Sequence, residues 1–283
     1  MAKEGDETFG ERSQIESLFK EALVCLEEGD ENTLNMFRHI VNACSSLFSQ
    51  EKEEDVLMCV IYGESLYYLS FLEEENNEEY LDSAATLYKN TANEQNMSVL
   101  GVFRERVNLK RKDKDTVAFS KSVAEVRKDP LPGYLGLYTL KTIISCFSGE
   151  EFEEKGRVGS ICFKLLCEFI EWREDMDDET ANIGAELCIL FLTCAVDVEK
   201  GMEKIEEIVS CGVLERECVC VGDVLLRAEF FLEAGAVCDD EKERELYGKA
   251  CRLIEKATVL DSARVPLDLL QFVNDCKKGR LSQ

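Results

Sequence analysis

The chain has 283 residues with a formal net charge of −25, and hydrophobic residues make up 45% of it. This apolar share excludes general disorder, and the charge disfavours binding to nucleic acid or to an anionic membrane surface. The longest apolar run, Leu187 to Val196, reaches about half of the length that spans a bilayer, and the polar, acidic first residues predict no secretory signal, so we expect a soluble, intracellular protein.

A helical period of 3.6 residues begins at Ser13 and dominates the rest of the chain. The order Ser13-Gln14-Ile15-Glu16 has the form of a capping box, so we expect the first helix to begin there and residues 1–12 to be frayed. Gly29 predicts the end of this helix. Apolar stripes then predict a second helix through Phe37 and a long third helix from about residue 49 to 74.

The strongest break in the helical pattern is the segment Asp129-Pro130-Leu131-Pro132-Gly133. Two prolines so close together do not fit inside a helix. Residues 129–133 therefore predict a boundary between an N-terminal half at 13–128 and a C-terminal half at 134–276. Pro266 predicts a last helix that has proline in its first turn, and residues 277–283 are expected to form a frayed tail.

A weak internal repeat connects the two halves. Three Gly-x-x-Leu segments each precede an apolar run, and their glycine and leucine residues are Gly63 and Leu66, Gly184 and Leu187, and Gly222 and Leu225. Each is interpreted as the opening of a helix, and the helix after it has small or apolar residues four and then three apart: Ala84, Tyr88 and Thr91; Gly201, Ile205 and Ile208; and Ala250, Ile254 and Ala257.

Small residues at these positions let two helices approach closely, and a bulky residue fills the groove between repeats. The pattern predicts an all-α fold, a tetratricopeptide-like α-solenoid of about a dozen antiparallel helices. The repeats are irregular, because the spacing from the glycine to the first small residue of the next helix is not constant. An irregular helical bundle is the alternative.

One segment departs from the acidic character of the chain. Between residues 104 and 128 there are nine Lys or Arg and four Asp or Glu residues, and the densest part contains Arg106, Lys110, Arg111, Lys112 and Lys114. Three interpretations stay open: a solvated helix end followed by a turn, a nuclear-import signal, or a docking segment for an acidic partner.

The sequence shows no motif for catalysis or metal binding. Glycine-rich phosphate loops, dinucleotide fingerprints, zinc-protease motifs and EF-hand loops are all absent. The single histidine, His39, is expected to face solvent on the second helix, and the 14 cysteines lack Cys-x-x-Cys spacing, so we interpret them as reduced, small hydrophobic residues. We therefore predict a protein that is not an enzyme, with no catalytic, cofactor-binding or metal-binding residues and no cofactor.

The order of these features resembles one family of helical-repeat proteins, known as the enhancer of translation termination in budding yeast and as a negative regulator of a prolyl hydroxylase in fission yeast. The resemblance covers roughly residues 15 to 90 and 180 to 275. It rests on residues 30–35, 44–48, 62–66, 221–226, 243–247, 250, 254–257 and 267–272.

The resemblance implies a non-catalytic adaptor of the nucleus, the cytoplasm or both. Such proteins bind a ribosomal protein of the small subunit and the 2-oxoglutarate-dependent prolyl hydroxylase that modifies it, and they regulate translation termination and transcription. An acidic surface suits a basic ribosomal protein, so charge and resemblance agree on a basic client and on no direct contact with nucleic acid or membrane.

Two further interpretations are considered. The protein could be a structural subunit of a larger or ribosome-associated assembly, which predicts an exposed apolar patch on one row of helices. It could also be a tetratricopeptide module that holds a C-terminal carboxylate. Glu64, Glu186 and Asp223 lie near the Gly-x-x-Leu segments and disfavour that module, since a carboxylate clamp needs Lys, Arg and Asn there.

Overall fold

A computed structural model describes residues 4–50, 55–92, 97–111, 115–126, 133–149, 155–172, 178–195, 197–210, 214, 218 and 220–278. The part of the chain so described contains thirteen α-helices and no β-strand, which confirms the predicted all-α fold. The helices are α1 (Glu4–Glu28), α2 (Thr33–Gln50), α3 (Val56–Leu72), α4 (Asn77–Thr91), α5 (Met97–Lys110), α6 (Thr116–Ala124), α7 (Gly133–Gly149), α8 (Lys155–Trp172), α9 (Asp178–Cys194), α10 (Glu199–Ser210), α11 (Val221–Gly235), α12 (Asp240–Asp261) and α13 (Leu267–Lys277).

The chain divides into two compact units, residues 1–127 with α1–α6 and residues 128–283 with α7–α13. Of the predicted boundary segment 129–133, the first four residues lie outside the described residues, and Gly133 is the first residue of α7. None of the helices that the structure describes has the length and apolarity needed to cross a bilayer.

In the first unit, alternate helices form two layers. Helices α1, α3 and α5 pack side by side, and α2 and α4 pack against them from the second layer. Phenylalanine side chains from four helices fill the core between the layers: Phe19, Phe37, Phe103 and Phe119. Packing of this kind between consecutive helices with short connections is typical of helical-repeat proteins.

The second unit follows the same rule. Helix α9 lies between α7 and α11 and also contacts α8 and α10 from the other layer, while α12 packs on α11. The fully buried Arg227 ties α11 to α9, because its Nε donates to Asn182 Oδ1 at 2.9 Å and its Nη2 to Asp178 Oδ1 at 3.1 Å. In the other layer, Lys242 of α12 forms an ion pair with Glu206 of α10.

The predicted start of the first helix is wrong. α1 begins at Glu4, so Ser13 lies well inside the helix, where no free N–H groups remain for its hydroxyl to cap, and residues 4–12 are helical instead of frayed. Arg12 holds this part of α1 against the start of α3 through an ion pair with Asp55 at 3.2 Å. The helix ends as predicted, since Gly29 has a left-handed φ of 72°.

The predicted third helix is shorter than expected. α2 ends at Gln50, residues 51–54 lie outside the described residues, and α3 begins at Val56. Asp55 sets this start, because its carboxylate accepts hydrogen bonds from the backbone N–H of Leu57 and Met58. At the C-terminus, Pro266 is the N-cap of α13, one residue before the predicted position, and residues 279–283 of the expected tail lie outside the described residues.

Candidate binding groove

The repeat-packing residues lie at contacts between helices. At Gly63, an added Cβ would lie 2.7 Å from Cε1 of Tyr88 on α4, and closer still to its Cζ and hydroxyl. At Gly184, an added Cβ would lie 2.8 Å from the Phe169 ring on α8 and 3.7 Å from Ile208 on α10. Glycine at these positions therefore allows a bulky side chain of the neighbouring helix to reach the backbone.

The description of the Gly-x-x-Leu segments as helix openings is wrong for two of the three copies. Gly63 and Gly184 lie within α3 and α9, and only Gly222 is near a helix start, at the second position of α11. Gly222 is exposed, with only Cys220 Sγ within 4 Å of an added Cβ. The close approach between α11 and α12 occurs instead at Gly235, where the Tyr247 ring would lie 2.6 Å from a Cβ.

The remaining packing residues serve the core of each unit. Gly201 allows the Phe191 ring of α9 to reach α10. Those that are buried are Leu66, Ala84, Thr91, Leu187, Ile205, Ala250, Ile254 and Ala257, and Leu225 is partly buried against the same core as Ala257. These positions define helix packing and leave no surface for a ligand.

Arg106 is not available as a docking residue, so the predicted docking or import segment does not include this position. Its side chain is buried and forms an ion pair with Glu64, which is itself fully buried on α3. The guanidinium carbon lies 4.2 Å from the centroid of the Tyr67 ring, a cation–π contact. Tyr88 completes the network by donating to Glu64 Oε1 at 3.4 Å, and burial followed by this carboxylate raises the Tyr88 pKa well above its ordinary value.

The rest of the basic segment is only partly described. Lys110 is exposed, with its Nζ 4.3 Å from the centroid of the Phe71 ring, and Arg111 forms an ion pair with Asp82 of α4. Lys112 and Lys114 lie outside the described residues. Of the five residues of its densest part, Lys110 is the one that the described residues show as exposed.

A groove of the second unit has a cavity volume of about 590 Å³ and lies along α7, α9 and α11. Its apolar lining comes from all three helices: Ile144, Phe147, Ile189, Leu190 and Leu226. Around this lining stand the polar side chains Lys141, Ser145, Ser148, Lys155, Glu186, Thr193 and Glu229. We call this feature the α7–α9–α11 groove.

Two carboxylates of the groove are in unfavourable surroundings. Burial raises the pKa of Glu186, the Lys141 ammonium opposes this in part, and Asp223 adds to it. Burial also raises the pKa of Glu229, and the like charge of Glu233 raises it further. Lys141 is engaged with Glu179 at 2.6 Å. A cation placed beside Glu186 and Glu229 would therefore be stabilised.

The other predicted features have ordinary surroundings. His39 is exposed, as predicted, and lines a smaller groove of about 230 Å³ between α1 and α2. The thirteen cysteines that the structure describes are free thiols. Among the described residues, no group of three or more His, Cys, Asp and Glu side chains could hold a metal ion.

The groove was not predicted from the sequence. Glu186 entered only as a residue that disfavours a carboxylate clamp, and Lys141, Leu226 and Glu229 were not singled out. A signal was present on α9, where Glu186, Ile189, Leu190 and Thr193 repeat at three- and four-residue spacing and so share one face. This face is half polar, which distinguishes it from a stripe that only builds a core.

Comparisons with models of protein families, with curated proteins and with solved structures found no significant match. The resemblance to enhancers of translation termination therefore stays a hypothesis.

Proposed function

We propose that the protein is a non-catalytic helical-repeat adaptor that binds a basic protein client through the α7–α9–α11 groove. The observation that carries the proposal is that Glu186 and Glu229 line one groove together with apolar side chains, and burial raises the pKa of both carboxylates. A lysine or arginine of a client would stabilise both carboxylates by supplying further positive charge. The net charge of −25 would attract such a client from a distance.

The proposed clients follow from the family resemblance. They are a ribosomal protein and a 2-oxoglutarate-dependent prolyl hydroxylase, and the proposed roles are regulation of translation termination and of transcription in the nucleus, the cytoplasm or both. The proposal includes no contact with nucleic acid or membrane, because both are anionic like the protein.

Binding to purified small-subunit ribosomal proteins tests this function. The variant Glu186→Gln/Glu229→Gln is compared with Glu203→Gln/Glu241→Gln, which removes two exposed carboxylates of the same unit outside the groove. Both variants change the net charge equally, so long-range attraction is matched. We expect only the groove variant to weaken binding, by about tenfold or more. Absence of binding at low salt, or equal loss in both variants, would refute the proposal.

An exposed apolar corner favours a second function, that of a structural subunit in a larger assembly. Val259 at the end of α12 is 87% exposed and Leu267 at the start of α13 is 83% exposed, with Leu260 also exposed between them. Side chains of this kind are typical of a surface that another protein covers. The variant Val259→Ser/Leu267→Ser should then leave an assembly in native gels of cell extract, whereas Glu186→Gln/Glu229→Gln should stay in it.

A further inference from the structure

We propose that the α7–α9–α11 groove selects a client segment in which a large apolar side chain lies between two lysine or arginine side chains. The apolar side chain would contact Ile189 and Leu226, and the two cations would contact Glu186 and Glu229. This inference rests on the proposed function. It adds the sequence feature by which the groove would distinguish a specific client from other basic proteins.

The apolar surface of the groove is accessible. Ile189 of α9 and Leu226 of α11 are only partly buried, and the other apolar residues of the lining, Ile144, Phe147 and Leu190, are buried. The cavity of about 590 Å³ falls within the range of ligand-binding pockets and has room for several side chains of a peptide. An apolar side chain placed there would remove both its own surface and that of Ile189 and Leu226 from water.

The two carboxylates stand beside this apolar surface on different helices. Glu186 lies one turn before Ile189 on α9, and Glu229 lies one turn after Leu226 on α11. Packed helices have their axes about 8–10 Å apart. Asp223 is a charged neighbour of Glu186, and Glu229 lies six residues, or about 9 Å, further along α11. Two cations that reach both carboxylates would therefore be separated by roughly 13 Å, or about four residues of an extended chain, in which the first, third and fifth side chains share one face.

Charge in the groove also argues against the opposite kind of segment. Glu186 has Asp223 as a charged neighbour and Glu229 has Glu233, so an acidic segment would meet like charges on both helices. Lys141 and Lys155 also line the groove, and Lys141 already compensates Glu186 in part, so each additional cation meets like charge. A limited number of cations with an apolar residue between them fits this arrangement better than a long polybasic run.

Fluorescence anisotropy with three synthetic peptides tests the inference on the unmodified protein. The first has the core Lys-Ser-Leu-Ser-Lys, the second replaces its Leu with Ser, and the third replaces both Lys with Glu. We expect the first peptide to bind about tenfold or more tightly than the second, as burial of one leucine side chain predicts, and the third not to bind.

Two variants then locate the binding site. Leu226→Ser should abolish the difference between the first two peptides, whereas Val237→Ser, which changes an exposed residue of the same unit outside the groove, should preserve it. Glu186→Gln should weaken both lysine peptides, and Glu203→Gln should weaken neither. Circular dichroism shows whether each variant is folded. The comparison of the three peptides uses the unmodified protein, so it tests the apolar selection even where a variant does not fold.

The outcomes separate the two proposals. Equal affinity for the first two peptides overturns the apolar selection and leaves a charge-based adaptor standing. A tenfold preference that persists in Leu226→Ser places the apolar contact elsewhere and also overturns the inference. If neither lysine peptide binds and Glu186→Gln/Glu229→Gln retains its basic client, the proposed function itself fails.

Discussion

Replacing Gly63 with alanine tests the close contact between α3 and α4. At an exposed helical site this change stabilises a protein by about 0.5–1 kcal/mol, because glycine loses more backbone freedom on folding. Here the new Cβ would lie 2.7 Å from Cε1 of Tyr88, a residue that is 1% exposed. Overpacking of this kind costs about 1–3 kcal/mol.

The hydroxyl of Tyr88 increases the expected loss. It donates to Glu64 Oε1 at 3.4 Å and lies 3.5 Å from the Val60 carbonyl, and a displaced ring would weaken both contacts at about 0.5–1.5 kcal/mol each. Taken with the gain in helix propensity, the free energy of unfolding of Gly63→Ala should fall by about 1–5 kcal/mol.

Urea unfolding followed by far-ultraviolet circular dichroism measures this change. Gly248→Ala on α12 is the matched control, since its nearest neighbour would be Arg252 Nη1 at 3.9 Å, and it should be more stable than the parent by about 0.5–1 kcal/mol. Because the chain has two compact units, hydrogen exchange of Gly63→Ala should increase in α3, α4 and α5 and stay unchanged in the second unit.

A second substitution identifies the contact responsible. Tyr88→Leu removes the ring that meets Gly63, so Gly63→Ala should cost less in this background than in the parent, with a coupling energy of about 0.5–3 kcal/mol. A Gly63→Ala variant as stable as the parent, or the same cost in both backgrounds, would refute the reasoning.

Three further predictions concern charges and thiols. Arg106→Met should lower the free energy of unfolding by about 3–5 kcal/mol in urea titrations, because it leaves Glu64 buried without its cation, and a loss below about 1 kcal/mol would contradict this. Burial raises the pKa of Glu186 above its ordinary value of 4.5, so the folded state holds its proton longer than the unfolded state and loses stability as the pH rises above 4.5. Glu186→Gln should therefore become more stable relative to the parent between about pH 4 and pH 7, and a constant difference in urea midpoints would show that this carboxylate ionises freely. Ellman's reagent at about pH 8 should modify the exposed Cys220 much faster than Cys44, since burial raises the pKa of Cys44 to about 12, and equal rates in peptide maps would contradict the burial.

The helical architecture could be predicted because its signals are local. The apolar period along each helix and the turn at Gly29 depend on neighbouring residues only. The same local reasoning failed at Ser13, where a capping sequence lies inside a longer helix. A capping motif marks a helix start only if the preceding residues leave the helix, and its own residues do not determine this.

The charged residues could not be placed from sequence in the same way. All three interpretations of the basic segment require an accessible Arg106, but this side chain is buried against Glu64, which lies 42 positions earlier on another helix. The groove has the same character, since Lys141, Glu186 and Glu229 come from three helices that only the packed unit brings together. Both features depend on tertiary contacts, which periodicity does not encode.

The network of Glu64, Arg106 and Tyr88 connects three successive helices, α3, α4 and α5, through one buried carboxylate. In arrays of regular repeats, one repeat can be removed or duplicated because each contacts only its neighbours through similar apolar surfaces. Here, removal of α5 would remove Arg106 and leave the buried carboxylate of Glu64 on α3 without this cation. Removal of α4 would remove the Tyr88 hydroxyl that donates to the same carboxylate. Truncated or recombined forms of this unit should therefore fold only when they contain α3, α4 and α5 together.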